Sequence, residues 1–203
     1  AGLLVLLRVM EDYNVKSLIF SSSATVYGTP LSLPLTESTP LGKVTNPYGM
    51  SKLVCEKILE DLCRSDHNWD IACLRYFNPV GADPSGLIGE DPLGVPTNLM
   101  PVVCQVAAGL VDKVIVFGGD YNTPDGTGVR DYIHVVDLAK GHLKALDYIS
   151  VPRGFQIFNL GTGIGYSVLE IISEFETQSG LKIPFEISDR RIGDVAECYA
   201  SVD

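Results

Sequence analysis

Lys16-Ser17-Leu18-Ile19-Phe20-Ser21-Ser22-Ser23 and Asp70-Ile71-Ala72-Cys73-Leu74-Arg75-Tyr76-Phe77 decide the fold. The first is a short apolar run of strand length that spills into serines. The second reads as a buried strand, apolar almost throughout and ending in a polar Gly/Pro loop. Between them Leu53, Cys55, Ile58, Leu59 and Leu62 mark a helix from Pro47 to near Arg64. Pro47 suits its first turn and Asn46 its N-cap. Strand, helix, strand in this order predicts a mostly parallel α/β sheet.

The alternation continues outward. Upstream, Leu3, Leu6, Leu7 and Met10 predict a helix to about Tyr13, with Asn14 where a left-handed cap is tolerated. Prolines 30, 34 and 40 punctuate a long loop before Pro47. Downstream, a Gly/Pro/Asp-rich stretch over 78–98 is the candidate boundary between lobes. Further elements follow: a helix over 99–109, a strand over 114–117, a turn-rich loop over 118–128, extended chain over 131–134, a helix over 135–149, a strand over 155–159 and a helix over 168–178 capped by Ser167. No internal repeat and no low-complexity linker interrupts them. The chain has no start Met, opens inside a helix and closes at Val202-Asp203 without a terminating element, which reads as the middle of a longer protein.

The 203 residues include 15 Lys plus Arg against 25 Asp plus Glu, a formal net charge of −10. No basic stripe is present of the kind that displaces counterions from nucleic acid, so a nucleic-acid partner is not expected. Apolar residues at 46% and charged residues at 20% are an ordinary globular mix, which argues against disorder. The apolar runs are too short to span a bilayer, and no basic segment precedes the first of them as in a signal peptide. Cys55, Cys63, Cys73, Cys104 and Cys198 are odd in number, widely spaced and without a Cys-x-x-Cys pair, which points to a reducing compartment. His67, His134 and His142 show no metal-ligand spacing, so no metal is expected.

The chemistry gathers around Tyr48-Gly49-Met50-Ser51-Lys52. A Tyr and a Lys four apart on a helix project from one face. An ammonium beside a phenol favours the phenolate, which makes Tyr a candidate general base near neutral pH. Ser23 stands just past an apolar strand, where chemistry collects in open α/β sheets, and its hydroxyl can bridge substrate and phenolate.

Ser21-Ser22-Ser23-Ala24-Thr25-Val26-Tyr27-Gly28, Asn46-Pro47-Tyr48-Gly49-Met50-Ser51-Lys52 and Leu74-Arg75-Tyr76-Phe77-Asn78-Pro79-Val80-Gly81 resemble the extended short-chain dehydrogenase/reductase family, and within it the UDP-glucose (UDP-galactose) 4-epimerases. Gly89-Glu90-Asp91-Pro92, Asn98-Leu99-Met100-Pro101, Asp125 to His134 and Arg190-Arg191-Ile192-Gly193-Asp194 continue the likeness over essentially the whole chain. The resemblance implies a partial Rossmann-type parallel sheet with a smaller C-terminal substrate lobe. Residues 1–78 would be the second half of an NAD-binding lobe. Residues 79–203 would bind UDP-sugar, with about 135–160 packing back on the NAD lobe.

In that family NAD oxidises the sugar at C4 while the motif tyrosine takes the C4 hydroxyl proton; the keto sugar turns over and the hydride returns to the opposite face. Carried over, Tyr48 is the acid/base, Lys52 holds the nicotinamide ribose, Ser23 relays the proton and Phe77 lies near the nicotinamide. Arg130 and Arg191 are guanidinium forks suited to diphosphate oxygens. Asn78, Asn98, Leu99, Phe117, Tyr132 and Asp194 match positions around the nucleotide sugar. Cys198 matches the position that gates sugar size, and a small residue there implies room for an N-acetyl group and turnover of UDP-N-acetylglucosamine and UDP-N-acetylgalactosamine. A cytoplasmic homodimer, packed through helices like the Pro47 one, is implied as well.

One departure stands out: nothing before Ser21 supplies the family's glycine-rich pyrophosphate turn. The isolated chain is therefore expected to bind NAD poorly and turn over little. Asn159-Leu160-Gly161-Thr162-Gly163-Ile164-Gly165-Tyr166 imitates that turn, but Tyr166 stands where its third glycine belongs, so it reads as a tight strand-helix connection. A nucleotide-sugar dehydratase or decarboxylase is the nearest alternative, disfavoured because Ala24 and Thr25 stand where those enzymes carry acidic groups. A non-catalytic truncated scaffold is the other.

Overall fold

A computed structural model describes residues 2–202. In chain order the elements are α1 (Gly2–Asp12), β1 (Ser17–Ser23), a 3₁₀ turn (Ala24–Tyr27), α2 (Pro47–Ser65), β2 (Asp70–Tyr76), β3 (Asn78–Val80), α3 (Leu99–Ala107), β4 (Val114–Phe117), β5 (Val129–His134), α4 (Val135–Tyr148), β6 (Phe155–Leu160), β7 (Gly165–Ser167), α5 (Val168–Ser179), β8 (Phe185–Ser188) and β9 (Glu197–Cys198). The chain divides into two compact units. One holds the residues up to Thr29, Thr36–Tyr76 and Leu138–Leu160; the other holds Pro30–Leu35, Phe77–Asp137 and the residues from Gly161 on.

The first unit is built on a parallel sheet in the order β1-β2-β6. β2 lies in the middle, and Ile71 to Arg75 are all buried, which is why its sequence is apolar without alternation. The period of two still sorts its neighbours. Ile71 and Cys73 pack with Leu7, Leu59, Cys63 and Trp69 from the α1 and α2 side. Ala72 and Leu74 pack with Ala145 and Ile149 from the α4 side. Helix α2 starts as its sequence dictates: Asn46 Oδ1 accepts from Gly49 N at 2.7 Å, and Pro47 fills a position whose N–H has no intrahelical partner. Truncating the fully buried Leu59 to alanine would cost about 2–5 kcal/mol.

The second unit holds two further small sheets. β3, β5 and β7 form one sheet, with β9 also on β5, and β4 pairs with β8 in another. β7 runs antiparallel to β5. Val103, Val106, Val114, Val116, Ile172 and Ile183 form the core under α3 and α5. Ser167 caps α5 as expected, in a full capping box with Glu170. The glycine stretch before it grips part of this chain. Asp131, fully buried on β5, accepts from Thr162 N (2.8 Å), Thr162 Oγ1 (2.7 Å), Gly163 N (3.0 Å) and Ala200 N (3.1 Å). A Cβ on Gly161 would collide with the Asp131 carboxylate. The loop is an anion cradle already filled by a carboxylate.

Among the described residues no helix is long and apolar enough to cross a membrane, and no group of three His, Cys, Asp or Glu converges as a metal site would.

Candidate active site

In the first unit the carboxyl end of β1 meets the start of α2. Lys52 Nζ donates to the Ser21 carbonyl at 2.9 Å and lies 5.6 Å from the Tyr48 ring centroid and 5.3 Å from that of Phe20. The four-residue spacing thus brings the ammonium and the phenol together, with Tyr48 56% exposed and open to a ligand. Ser23 is buried; its Oγ accepts from Thr25 N (3.2 Å) and Thr25 Oγ1 (3.0 Å), capping the 3₁₀ turn. Both contacts use the oxygen, so the hydroxyl hydrogen remains to be donated.

Gly49 sets how close α2 comes to that turn. A Cβ there would lie 2.8 Å from Val44 Cγ1 and 3.0 Å from the Thr25 carbonyl. A second tie was not read from the sequence. Glu56, one helical turn past Lys52, is buried and takes Arg75 Nε (3.0 Å) and Nη2 (2.7 Å) from β2 and Ser22 Oγ (2.5 Å) from β1. Burial disfavours the Arg75 charge, but the hydrogen bonds and charge of Glu56 together with the Tyr27 phenol more than offset it and hold the guanidinium above its usual range. Arg75 also lies 4.7 Å from the Tyr27 ring centroid. The available signal was an arginine inside an apolar strand, which needs a carboxylate partner.

The second unit contains a cavity of about 450 Å³. Its walls bring together Asn78, Asn98, Leu99, Phe117, Arg130, Tyr132, Arg191 and Asp194. On β5 the alternation puts Val129, Asp131 and Ile133 in the core and leaves Arg130 and Tyr132 half-buried on the cavity side. Arg130 Nη1 donates to the Val129 carbonyl at 2.9 Å and the Ala196 carbonyl at 3.3 Å. Arg191 lies 4.1 Å from the Phe117 ring centroid, and its Nη1 donates to the Thr97 carbonyl at 3.3 Å. Burial pushes the Tyr132 phenol up to about 12. Asn98 occupies the N-cap of α3 without a side-chain cap bond; its Nδ2 donates instead to Glu90 Oε1 at 3.1 Å.

Sequence reasoning missed Tyr121, a cavity residue whose buried hydroxyl has no partner among the described residues and whose ring centroid lies 4.2 Å from the Arg190 guanidinium. Two expected site residues of the second unit are not among this cavity's walls. Phe77 is buried directly after β2. Cys198 lies half-buried on β9, in register with Arg130, and burial pushes its thiol up to about 11.

A family profile described as the NAD dependent epimerase/dehydratase family matches residues 1–161. The UDP-glucose 4-epimerase of Bacillus subtilis (strain 168) is 58% identical over 199 residues, 98% of this chain and 58% of that protein. The UDP-glucose 4-epimerase of Homo sapiens is 58% identical over 200 residues, again 98% of this chain and 58% of that protein. The crystal structure of UDP-glucose 4-epimerase from Bifidobacterium longum in complex with NAD+ and UDP superposes with a TM-score of 0.95 at 60% identity, over 98% of this chain and 59% of that one. The chain therefore spans less than two thirds of the length of these relatives.

Proposed function

The chain belongs to the NAD dependent epimerase/dehydratase family, and from that premise we propose that the protein carrying it interconverts UDP-glucose and UDP-galactose by NAD-dependent transient oxidation at sugar C4. The observation that carries this reading is the convergence at the end of β1: Lys52 on the Ser21 carbonyl, the Tyr48 ring beside that ammonium, and Ser23 with a hydrogen to give.

These residues fit the ribose end of a dinucleotide. Lys52 uses one N–H on Ser21 and retains two for ribose hydroxyls. Phe77 is assigned to the nicotinamide. NAD, when bound, supplies the acceptance and return of the sugar hydride. Tyr48 takes the C4 hydroxyl proton and gives it back, and Ser23 orients that hydroxyl. Arg130 and Arg191 take the diphosphate, whose charge suits guanidinium forks. Asn78, Asn98, Leu99, Phe117, Tyr132 and Asp194 hold the uridine and sugar. The small Cys198 leaves room for an N-acetyl group, so the N-acetylated UDP-sugars are substrates as well.

The same reading places the protein in the cytoplasm, in keeping with five free thiols. It also makes it a homodimer through α1 and α2, where Leu4, Val5, Val9, Met50 and Val54 are exposed apolar residues. A dehydratase reading is disfavoured because Ala24 and Thr25 offer no carboxylate at the substrate end of β1.

The test is to incubate the protein carrying this chain with UDP-galactose and follow UDP-glucose by chromatography. Epimer formation that Tyr48→Phe reduces by about 10³-fold is expected. A 4-keto-6-deoxy sugar would mark a dehydratase instead, and binding without turnover would mark a scaffold.

A further inference from the structure

Ser21 is tied from two sides. Its carbonyl holds Lys52 of α2, and its hydroxyl meets Tyr76 Oη of β2 at 2.6 Å. Tyr76 Oη also meets His142 Nε2 of α4 at 2.5 Å, and the two rings are tilted with centroids 5.4 Å apart. The other nitrogen of His142, Nδ1, lies 2.8 Å from the Leu138 carbonyl one turn back in the same helix. A carbonyl only accepts, so Nδ1 bears a hydrogen and the helix backbone fixes the imidazole's orientation. The Tyr76 hydroxyl donates its one hydrogen to Ser21 Oγ, and its oxygen faces His142 Nε2.

Strand register explains the meeting. Ser23 pairs with Tyr76, and in a parallel pair such partners point to the same face, as do Ser21 and Ser23 along one strand. Tyr76, Leu74 and Ala72 follow the alternation on the α4 side. Ser23 and Tyr76 are also the last residues of their strands. Strand ends lack further ladder bonds and open most readily, yet this is where the reacting groups need fixed positions.

We propose that Tyr76 and His142 are positioning residues: their hydrogen-bonded chain braces Ser21, and through it the lysine that serves Tyr48. This rests on the catalytic reading of Tyr48 and Lys52 given above. Burial first, and then the charge Tyr48 would carry, push the Tyr76 phenol above its ordinary value against the opposing pull of its bond to Ser21. Tyr76 thus keeps the hydrogen the brace needs while Tyr48 exchanges its own.

The test measures steady-state kinetics with UDP-galactose in the full-length protein carrying this chain, per cofactor-loaded site. The variants are Tyr76→Phe, His142→Phe, their double, His142→Gln and Tyr48→Phe. Tyr76→Phe keeps the ring and His142→Gln keeps a polar group near Nε2. Each Phe variant at 76 or 142 is expected to lower kcat about tenfold, the scale of one lost hydrogen bond, with KM within about twofold because the contacts binding substrate are untouched. The double is expected to be no worse than either single, because the members act as one chain. His142→Gln is expected to recover more than half of the lost kcat. Unchanged kcat in the Phe variants, effects that multiply in the double, or no recovery with Gln would overturn the brace. Tyr48→Phe separates the two levels: if it stays active, the catalytic reading itself falls; if it is inactive while Tyr76→Phe is normal, only the brace falls.

Discussion

Glu56→Gln is the substitution whose cost the structure specifies most fully. Glu56 is 3% exposed and Arg75 2% exposed, and the carboxylate accepts two hydrogen bonds from the guanidinium and one from Ser22. Glutamine retains one acceptor oxygen, enough for Ser22 and Arg75 Nε. Its NH₂ then faces Arg75 Nη2, a donor against a donor. The guanidinium is left charged and buried, and its Nη1 already has no partner among the described residues. Breaking a buried pair from one side costs about 3–5 kcal/mol. At roughly 2–4 °C per kcal/mol for chains of this size, the unfolding midpoint should fall by about 6–20 °C. The partner experiment is Glu56→Met with Arg75→Met, which removes both charges. It should lie within about 2 kcal/mol of the parent, because no charge is left uncompensated. Urea denaturation followed by circular dichroism reads both. A loss below about 1 kcal/mol for Glu56→Gln, or a double variant as poor as Glu56→Gln, would show that the buried pair does not hold β2 to α2 in this way.

Gly49→Ala should lower stability by about 1–3 kcal/mol instead of giving the gain alanine usually brings to a helix, because the new methyl meets Val44 and the Thr25 carbonyl; a raised melting temperature with unchanged kcat would contradict this. Cys198→Tyr should reduce kcat/KM for UDP-N-acetylgalactosamine by about 100-fold while leaving UDP-galactose within about threefold, and equal losses on both sugars would refute the gate. Asp66 lies in an ion pair with Lys16, whose hydrogen bond holds the carboxyl down at about 2. A depressed carboxylate stabilises the fold above its unfolded value and loses that contribution as pH falls toward the folded one. The stability gap between the parent and Asp66→Asn should therefore be present at pH 5 and close between about pH 4 and pH 2, and added salt should narrow it; a gap independent of pH would contradict the pairing.

What the sequence made legible was local and periodic. The apolar period that buries Leu59 and the run that buries Ile71 to Arg75 are written in consecutive residues, as are the Asn46 and Ser167 caps and the four-residue step from Tyr48 to Lys52. What it hid was short or non-local. β3, β7 and β9 have two or three residues each, too few to display a period, and so the division into separate sheets could not be read. The pairing of Glu56 with Arg75 joins residues 19 apart on different elements. Gly161 to Gly163 has the look of a phosphate loop, and only the fold reveals that Asp131, 31 residues earlier than Thr162, fills it. The cavity residues from Asn78 to Asp194 were named from resemblance; no spacing in the sequence unites them. Tyr121, with its buried hydroxyl, carried no local mark at all.

In the proposed reaction the sugar loses and regains the same hydrogen at C4 while Tyr48 handles only the hydroxyl proton. Giving the protein carrying this chain UDP-galactose deuterated at C4, in ordinary water, and reading the product by nuclear magnetic resonance follows that hydrogen. The expected product is UDP-glucose that retains the deuterium at C4. UDP-glucose carrying a solvent hydrogen there would contradict it.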